Sequence, residues 1–237
     1  MKIAVLMYHK VGAQINGSPD HFLNVSKRDF ERQMRLLKKW GYTAITYEAA
    51  CLGLYQNGPL PQKPVCITFD DGYVNVDQNA VPILKELDWP ATIFVPTGFV
   101  GSENLWDVEF DNPMHPIMGW DRLKELQSDG WEIAGHTHQH VNLSKLSREE
   151  SIAEIMSGRQ EIGERLGKFP LTFCYPFGGY NESTPELVKE AGFIAACTTK
   201  SGLCTDLTDP LQMPRVKIAF RDGIAGFVYR FKIRPML

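Results

Sequence analysis

The sequence predicts an α/β fold in which parallel strands form a small, incomplete β/α barrel as a single domain. Short apolar and β-branched runs alternate with helical segments along the chain, which is the pattern of βα units. About eight such units occupy 237 residues, a length at which β/α barrels form one domain. Polar residues follow several of the strands, where barrel proteins carry their functional sites.

Each predicted strand is a short run rich in β-branched or aromatic residues. The first run starts after Met1 and Lys2 and is interrupted by His9, so we interpret it as a buried strand and not a signal peptide. In chain order the predicted strands are Ile3–His9, Thr43–Thr46, Val65–Asp70, Ala91–Pro96, Trp131–His136, Thr172–Tyr175, Ile194–Thr198 and Val216–Ala219.

Helices are predicted between most of these strands. The segment Ser26–Trp40 places Phe30, Met34 and Leu37 on one face behind a serine N-cap, and Gly41 follows as a stop signal. Similar segments predict helices at Asn79–Leu87, Trp120–Ser128, Ser147–Leu166 and Ser183–Ala191. A doubly wound sheet is the alternative architecture, but the first strand is not followed by a dinucleotide-binding glycine motif, and the chain has no P-loop motif.

The composition excludes several classes of protein. With 43% hydrophobic residues and ordinary glycine and proline counts, the chain can bury a full core. Its formal charge of -3 gives no basic footprint, so we expect no nucleic-acid partner. No apolar run approaches the roughly 18 residues that a transmembrane helix needs. Five widely spaced cysteines without a C-x-x-C pair favour a reducing, cytoplasmic location.

The first segment with chemical potential is Thr68–Tyr73, which places Asp70 and Asp71 directly after an apolar strand. Adjacent strand residues point to opposite faces, but a turn at Gly72 can aim both carboxylates into one pocket. The structural alternative is an aspartate-rich turn that caps the following helix.

The second segment, Gly135–His140, holds three of the six histidines. Zinc and similar ions take imidazole nitrogen and carboxylate oxygen together, and a catalytic site uses three protein ligands and leaves one position open. Asp71 with two of these histidines completes such a set. The spacing leaves the pair open: His136 and His138 share one face of an extended strand, whereas His136 and His140 suit a segment that turns.

The third segment, Phe173–Asn181, is an aromatic and glycine-rich turn after a strand. Taken alone, its residues are typical of a structural turn. A functional interpretation makes the aromatic rings one wall of a sugar-sized groove and a backbone N–H an oxyanion donor.

Together the three segments resemble the polysaccharide deacetylases of carbohydrate esterase family four, which share the NodB homology domain. The aspartate pair, the H-T-x-x-H histidine pair and the P-F-G turn follow the order of the family's first three motifs over residues 68 to 180. A looser resemblance extends over most of the chain, so we expect one such domain over residues 1–237. The resemblance implies a distorted (β/α)7 barrel.

The resemblance also implies a role for each matching position. It makes Asp70 the catalytic base and Tyr175 the donor of the oxyanion N–H, and it leaves His138 outside the metal site. The implied cofactor is a divalent metal, with zinc as the first choice and cobalt, nickel or manganese as alternatives. Its implied ligands are Asp71, His136 and His140.

One departure from the family pattern concerns the catalytic base. The third motif normally begins with an arginine that orients the base, and this chain has Cys174 there. An uncharged thiol cannot pair with Asp70, so we expect another cation to do so. Arg215 is the candidate.

A second departure concerns the general acid, because the family's late histidine has no match after residue 180. The opening Leu6–Val11 resembles a rearranged subgroup that includes the poly-β-1,6-N-acetylglucosamine deacetylases, in which the acid histidine comes from the first strand. His9 is therefore the expected acid. The alternative is a strand-end histidine exposed to solvent.

The predicted function is metal-dependent removal of N-acetyl groups from an amino sugar or an N-acetylglucosamine-containing glycan. A deformylase or cyclic-amide hydrolase of the same fold, a noncatalytic carbohydrate-binding relative and a purely stabilising metal site are the alternatives. A cytoplasmic enzyme would meet a small or lipid-linked amino sugar. The tail Phe227–Leu237 mixes basic and apolar residues, so we expect an ordinary terminal element, with peripheral membrane contact as the alternative.

Overall fold

Seven parallel strands close into a barrel in the computed structural model, which describes residues 1–13, 22–110, 112–218 and 223–233. The barrel order is β1, β10, β9, β8, β7, β6 and β5, and β5 pairs with β1 to close it. This confirms the predicted distorted (β/α)7 barrel. The strands are β1 (Ala4–Tyr8), β2 (Lys10–Val11), β3 (Asn24–Val25), β4 (Thr43–Ile45), β5 (Pro64–Phe69), β6 (Thr92–Val95), β7 (Glu132–Gly135), β8 (Thr172–Cys174), β9 (Ala195–Ser201) and β10 (Met213–Lys217).

The distortion of the barrel is centred on β5, which has three neighbouring strands. One edge of β5 pairs with β1, from Val65 to Phe69. The other edge is divided, because β4 pairs with its first half and β6 with Thr68 and Phe69. Helices and the barrel interior cover both faces of β1 and β5, so every residue of these two strands is buried. The short strands β2 and β3 pair separately, outside the barrel.

The helices that surround the barrel follow recognisable sequence signals. In α1 the Ser26 side chain accepts a hydrogen bond from the Asp29 N–H, and Phe30, Met34 and Leu37 are buried as predicted. The longest helix, α5, begins with a reciprocal capping box between Ser147 and Glu150. The helices are α1 (Lys27–Lys39), α2 (Tyr47–Tyr55), α3 (Val74–Glu86), α4 (Trp120–Ser128), α5 (Arg148–Leu166), α6 (Thr184–Glu190) and α7 (Ile224–Val228).

Five elements of the described chain differ from the sequence-based expectations, and two of them are the short strands β2 and β3, which were not predicted. The helix α2 was not predicted, because its residues lack a clear apolar period and its N-cap, Thr46, looks like the end of a strand. The helix α3 begins at Val74, ahead of the predicted Asn79, and no side chain caps its first turn. The last strand is β10 in place of Val216–Ala219. Its first residues were not recognised because Pro214 lacks an N–H and is unusual inside a strand. Residue 219 lies outside the described residues.

The C-terminal segment packs as a terminal element. Phe227 and Phe231 are buried and stack with ring centroids 5.6 Å apart. The predicted tail continues into residues 234–237, which lie outside the described residues. In the described part of the chain, no helix is both long and apolar enough to cross a membrane. The cytoplasmic location stays a prediction.

Candidate active site

A cavity of about 230 Å³ lies at the carboxyl edge of the barrel, where the predicted site residues converge. Since parallel strands end at the same edge, residues far apart in sequence meet there. Six of the seven predicted site residues line this cavity: His9, Asp70, Asp71, His136, His140 and Tyr175. The seventh, Arg215, is fully buried and contacts Asp70.

The neighbouring carboxylates of Asp70 and Asp71 reach the same cavity through a left-handed turn. The Asp70 N–H donates to the Tyr8 carbonyl at 3.0 Å and so extends the pairing of β5 with β1. Asp71 and Gly72 then adopt φ angles of 73° and 75°. This turn redirects the chain, so both carboxylates are buried at the cavity, as the sequence predicted from Gly72.

Asp71, His136 and His140 bring one carboxylate and two imidazoles together, with donor atoms within 4.8 Å of one another. The Asp71 Oδ1 lies 3.4 Å from Nε2 of His136 and 3.2 Å from Nε2 of His140. Nδ1 of His136 donates to the Cys174 carbonyl at 2.7 Å, which orients the ring with its Nε2 towards Asp71. One carboxylate oxygen and two imidazole nitrogens in a buried cluster fit a zinc-like divalent ion.

The third histidine of the segment, His138, faces away from this cluster. Its Nδ1 lies 2.8 Å from the Thr97 hydroxyl and 3.5 Å from the Glu161 carboxylate. The chain turns at Thr137 and His140, which have φ angles of 62° and 51°. Of the two pairs that the spacing left open, the structure therefore brings His136 and His140 together.

The helix α5 supports the histidine segment from behind. The Glu154 carboxylate accepts hydrogen bonds from the N–H groups of His138 and Gln139, at 3.1 and 2.8 Å. Gly158 lies directly under this segment, and a Cβ at that position would stand 2.8 Å from the Thr137 carbonyl oxygen. A glycine inside the helix thus permits the close approach of the histidine segment.

Arg215 occupies the cationic position that Cys174 cannot fill. Its two terminal nitrogens donate to the two carboxylate oxygens of Asp70, each at 2.7 Å, and one of them lies 3.2 Å from the Cys174 sulfur. Its Nε donates to the Thr198 carbonyl at 3.0 Å. Burial alone would raise the pKa of Asp70, but the charge and hydrogen bonds of Arg215 lower it below its usual value. The carboxylate is therefore held ionised and in a fixed orientation.

His9 ends the first strand beside Asp70. Its Nε2 lies 3.6 Å from the Asp70 Oδ2, and its side chain is 16% exposed at the cavity. Burial lowers the pKa of His9, and the nearby carboxylates of Asp70 and Asp71 oppose this shift only in part. His9 is thus a cavity residue next to Asp70 and not a solvent-exposed strand end.

Tyr175 lines the cavity, but its backbone N–H is already engaged. The N–H donates to the Cys197 carbonyl at 3.3 Å, and the phenol donates to the Leu211 carbonyl at 2.9 Å. An oxyanion role for this N–H requires the bond to Cys197 to open. That role stays a prediction.

Backbone strain is concentrated in the same three segments. Six non-glycine residues of the described chain have positive φ angles, and four of them are Asp71, Thr137, His140 and Phe177. Such conformations cost about 1–3 kcal/mol each and cluster where function requires a fixed geometry. The packing around the cavity therefore holds strained turns in place.

Trp106 and Asp107 are among the cavity residues that sequence reasoning missed. The Trp106 ring lies 4.2 Å from the His140 ring, and the buried Asp107 carboxylate accepts hydrogen bonds from the amides of Asn104 and Asn112. Both residues belong to a short 3-10 helix, Leu105–Phe110, whose sequence has no clear hydrophobic periodicity. The usable signal was their position in the loop after β6, because barrel sites are built from such loops.

The sequence matches a family of known proteins. Residues 57–196 match the family model described as polysaccharide deacetylase. A poly-beta-1,6-N-acetyl-D-glucosamine N-deacetylase of Staphylococcus aureus (strain MRSA252) is 29% identical over 205 residues, which cover 83% of this chain and 68% of the relative. His9 and Arg215 lie outside the matched family segment, on the strands that complete the barrel.

Solved structures agree with this placement. A polysaccharide deacetylase from Bacillus cereus is 28% identical, with a TM-score of 0.81 over 98% of this chain and 69% of that one. A Streptococcus pyogenes deacetylase in complex with acetate has a TM-score of 0.83 over 98% of this chain and 99% of that one. At 24% identity this second likeness shows a shared fold.

Proposed function

The chain belongs to the polysaccharide deacetylase family, and from this premise we propose that it removes N-acetyl groups from an amino sugar or an N-acetylglucosamine-containing glycan in a metal-dependent hydrolysis. The observation that carries the proposal is the Asp70–Arg215 pair beside Asp71, His136 and His140. It combines an ionised base with a three-ligand donor set, as metal-assisted hydrolysis requires. We extend the proposed domain over residues 1–237.

Asp71, His136 and His140 are the proposed ligands of the metal, with zinc as the first candidate and cobalt, nickel or manganese as alternatives. When bound, such an ion supplies Lewis-acid activation of water and of the acyl oxygen. Burial favours the uncharged form of Asp71, but hydrogen bonds with His136 and His140 keep its pKa well below the usual range. The carboxylate is therefore available as a ligand at neutral pH.

Asp70 is the proposed general base, which accepts the proton of the attacking water. Arg215 binds both carboxylate oxygens, so it fixes the plane of the carboxylate and keeps it ionised. The same ion pair lowers the basicity of Asp70. A metal ion held by Asp71, His136 and His140 would compensate for this weak base by making the attacking water more acidic.

His9 is the proposed general acid, which delivers a proton to the departing amine nitrogen. An amine anion is a very poor leaving group, so the C–N bond breaks only with this proton. The separation of 3.6 Å between His9 and Asp70 places the acid next to the base. Since burial lowers the pKa of His9, the proton that His9 delivers to the amine nitrogen is the one that Asp70 has accepted from water and passed on to His9.

The partner is an amino sugar or a glycan, and a lipid-linked form is part of the proposal. The support for a glucosamine-based substrate is the similarity to the Staphylococcus aureus enzyme. The cavity at the proposed metal ligands is the place where the acylated sugar unit would bind.

The test is acetate release from N-acetylglucosamine oligomers by metal-stripped protein, with and without added zinc, cobalt or manganese. We expect metal-dependent acetate that disappears in Asp70→Asn. His138→Gln is the matched control, because His138 belongs to the same histidine segment but lies outside the proposed site. Formate is measured in parallel on N-formylated substrate. No acetate under any metal, from folded and metal-loaded protein, would overturn the proposal.

His9→Ala tests the general acid separately. We expect kcat to fall about 100-fold, in the range by which general acids accelerate reactions. Metal binding should stay close to that of the parent, because His9 is not among the proposed ligands. Near-normal kcat in this variant, with activity lost in Asp70→Asn, would show that another group protonates the amine.

A further inference from the structure

The imidazole of His140 is enclosed by two aromatic side chains. The ring of Trp106 lies 4.2 Å from it at an interplanar angle of 33°, and the ring of Phe177 lies 4.7 Å from it at 63°. Trp106 belongs to the loop after β6, and Phe177 to the turn after β8. The two residues therefore approach the same imidazole from separate elements.

His140 and His136 differ in how their second ring nitrogen is satisfied. Nδ1 of His136 donates to the Cys174 carbonyl at 2.7 Å, which fixes the orientation of that ring. Nδ1 of His140 is buried and has no hydrogen-bond partner among the described residues. Metal-binding histidines almost always use such a bond to set ring orientation and tautomer. For His140, something other than a hydrogen bond must prevent rotation of the ring.

The two aromatic residues are themselves held in place. The ring of Phe99 packs edge-on against Trp106 at 4.9 Å. The neighbour of Trp106, Asp107, is buried and bonded to the amide of Asn104. Behind Phe177, the Gly178 N–H donates to the Tyr175 carbonyl at 2.9 Å and closes the turn. Packing therefore supports the Trp106 ring, and the closed backbone turn places the Phe177 ring beside the imidazole.

We propose that Trp106 and Phe177 are positioning residues for the metal ligand His140. Their ring faces take the place of the missing hydrogen bond and hold Nε2 of His140 towards Asp71. The assignment rests on the proposed ligand set, and it adds to it two residues that touch no metal. Aromatic contacts of this kind favour offset or edge-on geometry, so they resist ring rotation.

Trp106 and Phe177 contact a groove as well as His140, and the test must separate effects on the groove from effects on the metal site. Trp106, His140 and Phe177 also line an open groove beside the cavity, together with Leu105 and Val108. A change at Trp106 can therefore alter substrate binding in the groove as well as the metal site. Metal affinity, measured without substrate, reports only on the metal site.

The experiment measures the zinc Kd of metal-stripped protein by competition with a chromophoric chelator. In Trp106→Leu we expect Kd to rise about tenfold or more, as for other changes to residues that support metal ligands. In Trp106→Phe, which keeps an aromatic face, we expect a change of less than about threefold. Phe177→Leu should behave like Trp106→Leu, because it removes the second aromatic ring that contacts His140.

Val108→Ala is the matched control, since Val108 lies on the same groove wall and is 58% exposed. Its zinc Kd should equal that of the parent. Urea unfolding of each metal-free variant shows whether the fold is intact. Parental zinc affinity in folded Trp106→Leu, or equal losses in the Phe and Leu variants, would overturn the positioning role.

The outcome is independent of the proposed reaction. If the parent binds zinc with this variant pattern but releases no acetate, the deacetylase proposal fails and the positioning role stands. If the parent releases zinc-dependent acetate and Trp106→Leu keeps parental zinc affinity, the positioning role fails and the deacetylase proposal stands.

Discussion

Arg215 and Asp70 form a buried ion pair in which each charge depends on the other. Both side chains are almost completely buried, and the guanidinium meets both carboxylate oxygens at 2.7 Å. Removing one member of such a pair leaves an uncompensated charge in the interior, which costs about 3–5 kcal/mol. The pair therefore affects folding as well as the proposed chemistry.

We expect Arg215→Met to lower the free energy of unfolding by about 3–5 kcal/mol, measured by urea denaturation. The double variant Arg215→Met with Asp70→Asn should recover part of this loss, because neither charge then remains buried. Arg35→Met is the control, since Arg35 pairs with Glu86 on the surface, where ion pairs contribute about 0–1 kcal/mol. A double variant as unstable as the sum of the single variants would contradict this coupling.

At the scale of elements, the helix α5 contains two glycines with different surroundings. Only the first of them, Gly158, faces the histidine segment. A Cβ on Gly158 would meet the Thr137 carbonyl oxygen at 2.8 Å, and this backbone atom cannot move without displacing the segment. A Cβ on Gly163 would meet the ring of Phe169, a side chain that is 44% exposed and can rotate away. The two positions form a matched pair within one helix.

We expect Gly158→Ala to weaken zinc binding by about tenfold or more, because it displaces backbone that supports His136 and His140. Gly163→Ala should keep parental zinc affinity. Alanine is favoured over glycine in a helix by about 1 kcal/mol, so propensity alone would stabilise both variants. Equal zinc affinities in the two variants would show that the histidine segment tolerates the added methyl group.

Glu132, the first residue of β7, connects three elements at the opposite end of the barrel. Its carboxylate accepts hydrogen bonds from the hydroxyls of Thr92 and Thr172 and from the Glu48 N–H. These lie on β6, on β8 and on α2. Burial raises the pKa of Glu132, and the three hydrogen bonds offset that shift only in part.

The raised pKa of Glu132 predicts a stability that falls as pH rises. Below the unfolded pKa of about 4.3 the group is protonated in both states, and its favourable contribution is complete. That contribution is lost as pH rises through the higher pKa of the folded state. We expect the free energy of unfolding of the parent, relative to Glu132→Gln, to decrease over this range. A difference that stays constant from pH 4 to 8 would contradict the raised pKa.

At the scale of the whole molecule, the site depends on closure of the barrel. His9 lies at the end of β1 and Arg215 on β10, which pair as neighbours through Leu6 and Val216. Asp70 follows β5, the neighbour of β1 on its other side. The proposed acid, the proposed base and the counter-charge of that base thus come from three adjacent strands that are distant in sequence.

Metal removal should affect the stability of the entire domain. A ligand that binds only the folded state at about 100 times its Kd adds about 2.7 kcal/mol. For a chain of this length we expect zinc to raise Tm by about 5 to 10 °C. Asp71→Asn should abolish most of this increase, and His138→Gln should keep it. Calorimetry of the metal-stripped protein with and without zinc measures both effects, and an equal rise in the two variants would remove Asp71 from the ligand set.

Much of the fold was predictable because buried parallel strands are short apolar runs, as in Pro64–Phe69. The pairing of Arg215 with Asp70 was predictable from the family resemblance, because the motif has an arginine at the position of Cys174 and a neutral thiol cannot replace its charge. The contact of Trp106 with His140 was not predictable, because the short 3-10 helix Leu105–Phe110 carries no periodic signal. The engagement of the Tyr175 N–H was also beyond the sequence, since it depends on the register of β8 against β9.

The position of β10 has a consequence for synthesis on the ribosome. This strand fills the gap between β1 and β9, and it emerges after every other barrel strand. A nascent chain that lacks it has two open strand edges, which are sites where chains pair and aggregate. Its Asp70 also lacks the guanidinium that holds it ionised. Addition of β10 therefore closes the barrel and supplies the counter-charge of the proposed base in one step, so products that end before residue 213 should be both inactive and prone to aggregation.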